Sequence, residues 1–149
     1  MKQRIVMLSV LALMFVAMVT VVMTADAAPL LTRSALTPTV VAKTGTVLTL
    51  AAANVDGNQF TNNGLTWFQM ANAAGETITA TFVTPKTYDG LAISDLVVTV
   101  ANAATKVIGP FSTDTFNQGG TGADADSVYV NYTYVTTLTG FTVGALRLD

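Results

Sequence analysis

Apolar and polar residues alternate along several short segments of the chain, and Gly, Pro, Asn and Asp separate those segments. The clearest alternation is SVYVNYTYV at Ser127–Val135, where every second residue from Val128 to Tyr134 is predicted to lie on one face of a strand. Leu65–Ala71 (LTWFQMA) alternates in the same way. A period of two residues is typical of strands with one buried face, so both segments are predicted strands.

The densest pattern lies in Ile78–Phe111. It predicts strands at Ile78–Val83, Leu96–Ala101 and Lys106–Phe111, with a long connection between the first two. In that connection, TPKTYDGLAIS, a Pro ends the strand and an Asp-Gly pair favours a tight turn. The apolar residues after the turn, Leu91 and Ile93, are predicted to be buried.

The turns join these segments into a predicted antiparallel arrangement. Leu65–Val83 and Leu96–Phe111 are predicted hairpins, Thr46–Leu50 a short strand, and Phe141–Leu148 the final strand. This gives seven or eight short strands and no helix after residue 27. The number and spacing of the strands predict an all-β fold, a single antiparallel β-sandwich of immunoglobulin-like or jelly-roll type.

The first 27 residues have the features of a secretory signal peptide. Lys2 and Arg4 precede the apolar run Ile5–Val22, and Ala25-Asp26-Ala27 supplies small residues where signal peptidase cuts. The alternative is an uncleaved membrane anchor, because a run of this length approaches that of a span. The sequence therefore predicts three parts: 1–27 as signal peptide or anchor, 28–45 as an extended arm, and 46–149 as the β-sandwich.

The arm contains two prolines, Pro29 and Pro38, which disfavour a helix. An edge strand is predicted at Thr39–Lys43. Such an arm either completes the sheet of its own chain or adds a strand to a neighbouring copy, and we expect the first.

Composition excludes several classes of function. The chain has no Cys and no His, which removes thiol nucleophiles, disulfides, and the usual base and metal ligand. Only 11% of residues are charged, against about 25% in an average soluble domain. A net charge of −2 argues against nucleic-acid binding. We expect no enzyme, and as partners either further copies of the chain or another structural protein, with membrane contact only through an uncleaved N-terminal segment.

Asp124 and Asp126 in the sequence GADADS are the candidate metal ligands. Alternating carboxylates in a Gly-containing loop can present oxygen atoms to Ca²⁺. The longer ligand series of an EF-hand is missing, so we expect a solvated loop and no cofactor, with a calcium site as the alternative.

The sequence contains residues for three further kinds of site. Trp67 and the tyrosines of Ser127–Val135 suggest a carbohydrate-stacking platform, although aromatic residues on strands more often pack in cores. An exported binding module would use the loops 54–64 and 112–126, with Phe60 or Phe116 as contact residues. The acidic residues Glu76, Asp89 and Asp95 lie in separate elements and do not predict a catalytic pair.

Four segments carry a resemblance to a known group of proteins. They are VDGNQFTNNG (55–64), TPKTYDGLAISDLVVTVANAATKVIGPF (84–111), VYVNYTYV (128–135) and GFTVGALRL (140–148). Their order resembles small β-rich accessory proteins of bacteriophage and prophage heads, of the decoration or cement kind, over about two-thirds of the chain, Ala51–Leu148.

The resemblance implies a self-associating β-fold on a virion surface, with no enzymatic residues to transfer. The N-terminal leader departs from that pattern and implies either recruitment as an exported cell-surface protein or assembly of the virus at a membrane. We therefore expect a non-enzymatic structural protein, exported or at the cell surface, or on the virion surface if phage-encoded.

Overall fold

The computed structural model describes residues 32–119 and 124–149, which form twelve strands and one short helix. The strands are β1 (Ser34–Leu36), β2 (Thr39–Val40), β3 (Ala51–Ala52), β4 (Asn58–Thr61), β5 (Thr66–Asn72), β6 (Ile78–Phe82), β7 (Thr87–Tyr88), β8 (Leu91–Ala92), β9 (Leu96–Val100), β10 (Thr105–Ile108), β11 (Ser127–Thr133) and β12 (Phe141–Arg147). The helix is α1 (Thr113–Phe116). The prediction of an all-β chain is confirmed at this level. The predicted signal peptide or anchor, 1–27, and the first residues of the arm lie outside the described residues.

Ten of these strands form two mixed sheets. The first sheet has the order β1-β4-β11-β6-β9; the second has the order β10-β5-β12-β2, with β3 also paired to β12. β7 and β8 pair with each other as a separate hairpin. The prediction of a purely antiparallel arrangement is wrong, because β1 runs parallel to β4 and β2 parallel to β12. Parallel neighbours need a connection of a dozen or more residues, and the segment 37–57 between β1 and β4 supplies it.

Both parallel pairings come from the arm, which completes the sheets of its own chain as expected. Ser34 pairs with Asn58 at the edge of the first sheet, and Thr39 pairs with Leu146 in the second. Pro38 is buried where the arm crosses between the sheets. The predicted edge strand at Thr39–Lys43 is confirmed for its first two residues.

The two sheets share one hydrophobic core, into which alternate residues of the strands point. In β5 the buried residues are Thr66, Phe68, Met70 and Asn72, which confirms the predicted alternation. Aromatic rings contact one another across the sheets: Phe68 in β5 stacks on Phe60 in β4 with 5.0 Å between centroids, and lies 5.5 Å from Phe82 in β6. Large rings thus supply much of the apolar area that leaves water on folding.

The main correction to the predicted topology concerns the hairpins. β5 pairs with β10 and β12, whereas β6 pairs with β11 and β9, so the predicted hairpin Leu65–Val83 is absent. The predicted hairpin Leu96–Phe111 is likewise wrong, because β9 and β10 lie in different sheets. Each of these turns carries the chain from one sheet to the other, which is the geometry of a β-arch.

Four such turns, 53–57, 73–77, 101–104 and 134–140, lie side by side at one end of the domain, which we call the turn end. They are held together by polar contacts. The buried Asn72 side chain donates to the carbonyls of Glu76 and Val100, each at 2.8 Å, and accepts from the Ala74 N–H at 3.0 Å. It thereby connects the second turn to the strand that enters the third.

Two smaller predictions also fail. Thr46–Leu50 forms no strand; instead Leu48 and Leu50 cover Gly144 in β12, where an added Cβ would lie 2.9 Å from Leu50 Cδ2. Helix α1 was not expected. It places Phe116 against the buried Phe111, with 5.3 Å between ring centroids.

We predict that Gly140→Ala is much more destabilising than Gly75→Ala. Both glycines have left-handed φ, +88° and +85°, so each substitution costs about 1–2 kcal/mol of backbone strain. At Gly140 a Cβ would also lie 2.7 Å from the Ala73 carbonyl oxygen, whereas at Gly75 nothing lies within 4 Å. Overpacking adds about 1–3 kcal/mol, so we expect about 2–5 kcal/mol for Gly140→Ala.

Urea unfolding of both variants, compared at equal m-values, measures this difference. Equal losses of unfolding free energy would show that the turns at 73–77 and 134–140 are not packed against each other.

Candidate functional site

The predicted calcium ligands Asp124 and Asp126 lie in the bend before β11. The Asp126 backbone oxygen accepts the Asn62 N–H at 2.7 Å, and its carboxylate accepts from Asn117 Nδ2 at 3.4 Å. The Asp124 carboxylate accepts a hydrogen bond from the Tyr129 hydroxyl; burial first and this bond second raise the pKa of Tyr129. Among the described residues, no three His, Cys, Asp or Glu side chains lie close enough to hold a metal ion. The calcium site stays a prediction.

The three separate acidic residues remain apart in the structure. Glu76 lies at the turn end, between β5 and β6. Asp89 and Asp95 lie beyond the opposite end of β6, and the Asp95 carboxylate accepts the Thr84 N–H at 2.8 Å. The fold therefore does not bring these carboxylates together as an acid–base pair.

The Glu76 carboxylate performs a structural task at the turn end. It accepts three consecutive backbone N–H groups, from Val135 at 2.7 Å, Thr136 at 2.9 Å and Thr137 at 2.6 Å. The Thr137 bond, assisted by the other two, lowers the pKa of Glu76 below its ordinary value of 4.5 although desolvation opposes it. The carboxylate thus ties the turn 73–77 to the turn 134–140.

We predict that Glu76→Gln lowers the unfolding free energy at neutral pH and flattens its dependence on pH in acid. The folded-state pKa of Glu76 lies below the unfolded one, so its contribution is present above pH 4.5 and is lost as the pH falls through the lower, folded value. Glutamine has one acceptor oxygen where glutamate has two, and its side-chain NH₂ group would point at the backbone N–H groups of the turn 134–140, which also donate.

Urea midpoints between pH 7 and pH 3 measure the effect, with Asp89→Asn as the control, a neutralised carboxylate away from the turn end. If Glu76→Gln and the wild type lose the same stability on acidification, the three bonds do not act in the folded state as described.

The candidate aromatic platform is not assembled. Tyr132 faces the core, with its hydroxyl donating to Asn58 Oδ1 at 2.9 Å, and burial raises its pKa. Tyr129 faces the other side of the first sheet, beneath the Arg33 guanidinium at 4.4 Å from the ring centroid. Trp67 belongs to the second sheet. This agrees with the predicted faces of β11 and separates the rings that a stacking platform would need.

The loops of the alternative binding function also direct their aromatic rings inward. The prediction of 54–64 as a loop is wrong for Asn58–Thr61, which form β4, and Phe60 in this strand is 1% exposed. Phe116 is half-buried against Phe111. The aromatic contacts on which a glycan-binding use of the loops 54–64 and 112–126 depended are therefore part of the core.

Sequence reasoning missed two open strand edges on the same side of the domain. β9 pairs only with β6, and β10 only with β5, among the strands of the described residues. Exposed apolar side chains follow these edges, including Val97 at 59% and Val107 at 56%. The prediction that β9 and β10 pair with each other concealed these edges. The run Leu96-Val97-Val98, apolar at successive positions, was the available signal.

Two apolar features lie at the ends of the domain. Leu91, expected to be buried, is 74% exposed in the β7–β8 hairpin, and Ile93 is 39% exposed. At the turn end there is an open depression of about 360 Å³ between the turns 53–57 and 134–140. Its lining includes Ala53 and Leu138.

Comparisons with protein families, curated proteins and solved structures find no match to this chain. Within residues 32–119 and 124–149, no helix has both the length and the apolar character that a membrane span requires. The surface geometry therefore has to carry the functional argument.

Proposed function

We propose that this chain is a non-enzymatic structural protein whose β-sandwich packs on a repetitive assembly, such as a phage capsid or a cell envelope. The shared core of the first and second sheets, closed by contacts such as Phe60–Phe68 at 5.0 Å, supports a sandwich. The immunoglobulin-like or jelly-roll type expected from the sequence remains part of this proposal.

The observation that carries the proposal is the pair of open edges, β9 and β10. Both sheets end on the same side of the domain, each with a strand that has one paired neighbour among the described strands. The free side of an edge strand exposes backbone N–H and C=O groups that can pair with a strand of another chain. Two adjacent edges offer two such rows to one neighbouring subunit.

The chemistry of this side of the domain supports packing against protein. Leu96, Val97 and Val107 are 36%, 59% and 56% exposed. Lys106 opposes strand pairing at the edge of β10, whereas β9 has no charged residue and is the edge more open to a partner strand. With only 11% charged residues in the chain, little electrostatic repulsion opposes close packing of many copies. The resemblance to phage head accessory proteins and the leader-like residues 1–27 support a virion or a cell surface as the location of that assembly.

We predict that the full-length chain, produced in the cells in which it naturally occurs, sediments with virus particles or envelope fragments in a density gradient. Val97→Lys should lower the bound fraction about tenfold, because a lysine on an edge strand opposes pairing by another strand, at a cost of about 1.4 kcal/mol. Val47→Lys is the matched control, since Val47 is 88% exposed and lies away from β9 and β10.

Absence of the protein from both particle and envelope fractions would contradict the proposed function. If Val97→Lys and Val47→Lys lower the bound fraction equally, the chain still associates with the assembly, but the edge of β9 takes no part in that association.

A further inference from the structure

The β7–β8 hairpin presents two large side chains to solvent. Its turn has left-handed backbone at Asp89 and Gly90, with φ of +49° and +79°, as a tight two-residue turn requires. Tyr88 and Leu91 pair across the hairpin and are 73% and 74% exposed. An isolated hairpin of this size cannot bury them itself, so the pair forms an apolar projection.

The depression at the turn end has the complementary character. Ala53, Tyr134 and Leu138, which line it, also pack against the hydrophobic core, so its floor is held in place. Val55 on its wall is 66% exposed. Val135, adjacent to two lining residues in the chain, is 91% exposed. A volume of about 360 Å³ lies within the range of about 300–1,000 Å³ typical of ligand pockets and accommodates a projecting aromatic or aliphatic side chain.

The projection and the depression lie at opposite ends of the domain. β6 leaves the turn end at Ile78 and reaches the β7–β8 hairpin after Phe82. β11 runs antiparallel to β6 and returns to the turn end at Thr133, where the turn 134–140 begins. One copy therefore cannot place its own hairpin in its own depression.

We propose that copies of this chain associate head to tail, with the β7–β8 hairpin of one copy seated in the turn-end depression of the next. This rests on the proposed function and names its partner at these surfaces, a second copy. The apolar side chains of the hairpin match the apolar lining of the depression. The positive charge of Lys86 beside the hairpin complements the negative charge of Asp56 beside the depression, and neither residue is in an ion pair among the described residues.

Two different surfaces of the same chain form this contact, so it is heterologous and can repeat from copy to copy. This repetition is what a chain that covers a regular assembly requires. It also separates the proposal from a symmetric contact between two hairpins, which would end at a dimer.

We predict that Leu91→Asp and Thr136→Arg each weaken self-association about 30-fold, the effect of losing one central anchor residue of an interface. Both residues are exposed, so their replacement leaves the core unchanged. Val47→Asp is the matched control, because Val47 is 88% exposed and belongs to neither end. Sedimentation velocity on the purified full-length chain, in the form that the cell produces, measures the oligomers.

Mixing the two variants tests the head-to-tail geometry itself. Leu91→Asp retains an intact depression and Thr136→Arg an intact hairpin, so the mixture has one functional contact and should form 1:1 heterodimers and nothing longer. Because the chain has no Cys, Leu91→Cys mixed with Val55→Cys should give an oxidised heterodimer, whereas Leu91→Cys mixed with Val47→Cys should not.

A wild type that stays monomeric, variants that associate like Val47→Asp, or a mixture without heterodimers overturns the head-to-tail contact. Failure of the proposed function looks different. If the chain binds particles as a monomer, only the head-to-tail contact is contradicted. If the chain self-associates but is absent from particles and envelopes, only the proposed function is contradicted.

Discussion

The constraint on which the fold depends is the need to satisfy backbone polar groups where four turns stack at the turn end. A turn that crosses between sheets leaves N–H and C=O groups without ladder partners. Leaving such a group unsatisfied costs about 1–3 kcal/mol where it is buried, as is the Val100 carbonyl that Asn72 bonds. Three side chains provide the partners. Asn72 makes three hydrogen bonds, and the Glu76 carboxylate accepts three backbone N–H groups. Asn102 accepts the Gly75 N–H at 3.0 Å. Side chains of one turn thus hold the next turn in register.

The longer strands, such as β5 and β11, and the residues that share each of their faces could be predicted from the sequence, because alternation is a local property. The strand β4 was missed, since it lies in the predicted loop 54–64. The partners of the strands could not be predicted in this way. A hairpin and an arch have the same alternation and the same Gly- and Asn-rich turn, and they differ in whether the second strand stays in the sheet, which distant residues decide. The inward-facing Asn72, immediately before a turn, was the local sign of an arch.

The same limit applies to the candidate site residues: their types can be read from the sequence, but their arrangement in space depends on residues far apart in the chain. Residue types identified Asp124, Asp126 and the tyrosines, and alternation placed Tyr132 and Tyr129 on opposite faces. Only the fold shows that Tyr132 faces the core, bonded to Asn58, and that Trp67 lies in the other sheet. Leu91 shows a different limit. Burial was predicted from its apolar character, yet β8 has two residues and pairs only with β7 among the described strands, so no surface covers it.

The surfaces that result point in two different directions. The open strands β9 and β10 lie along the side of the domain, while the β7–β8 hairpin and the turn-end depression lie at its two ends. In the proposed assembly, contacts through the ends would build rows, and contacts through the side would attach a row to a neighbour. Because each contact uses surfaces of a weakly charged chain, dense packing meets little repulsion, and the same Glu76 bonds that fix the turn 134–140 also fix the rim of the depression. The proposed assembly through the turn end would therefore depend on the same carboxylate as the folding of that end.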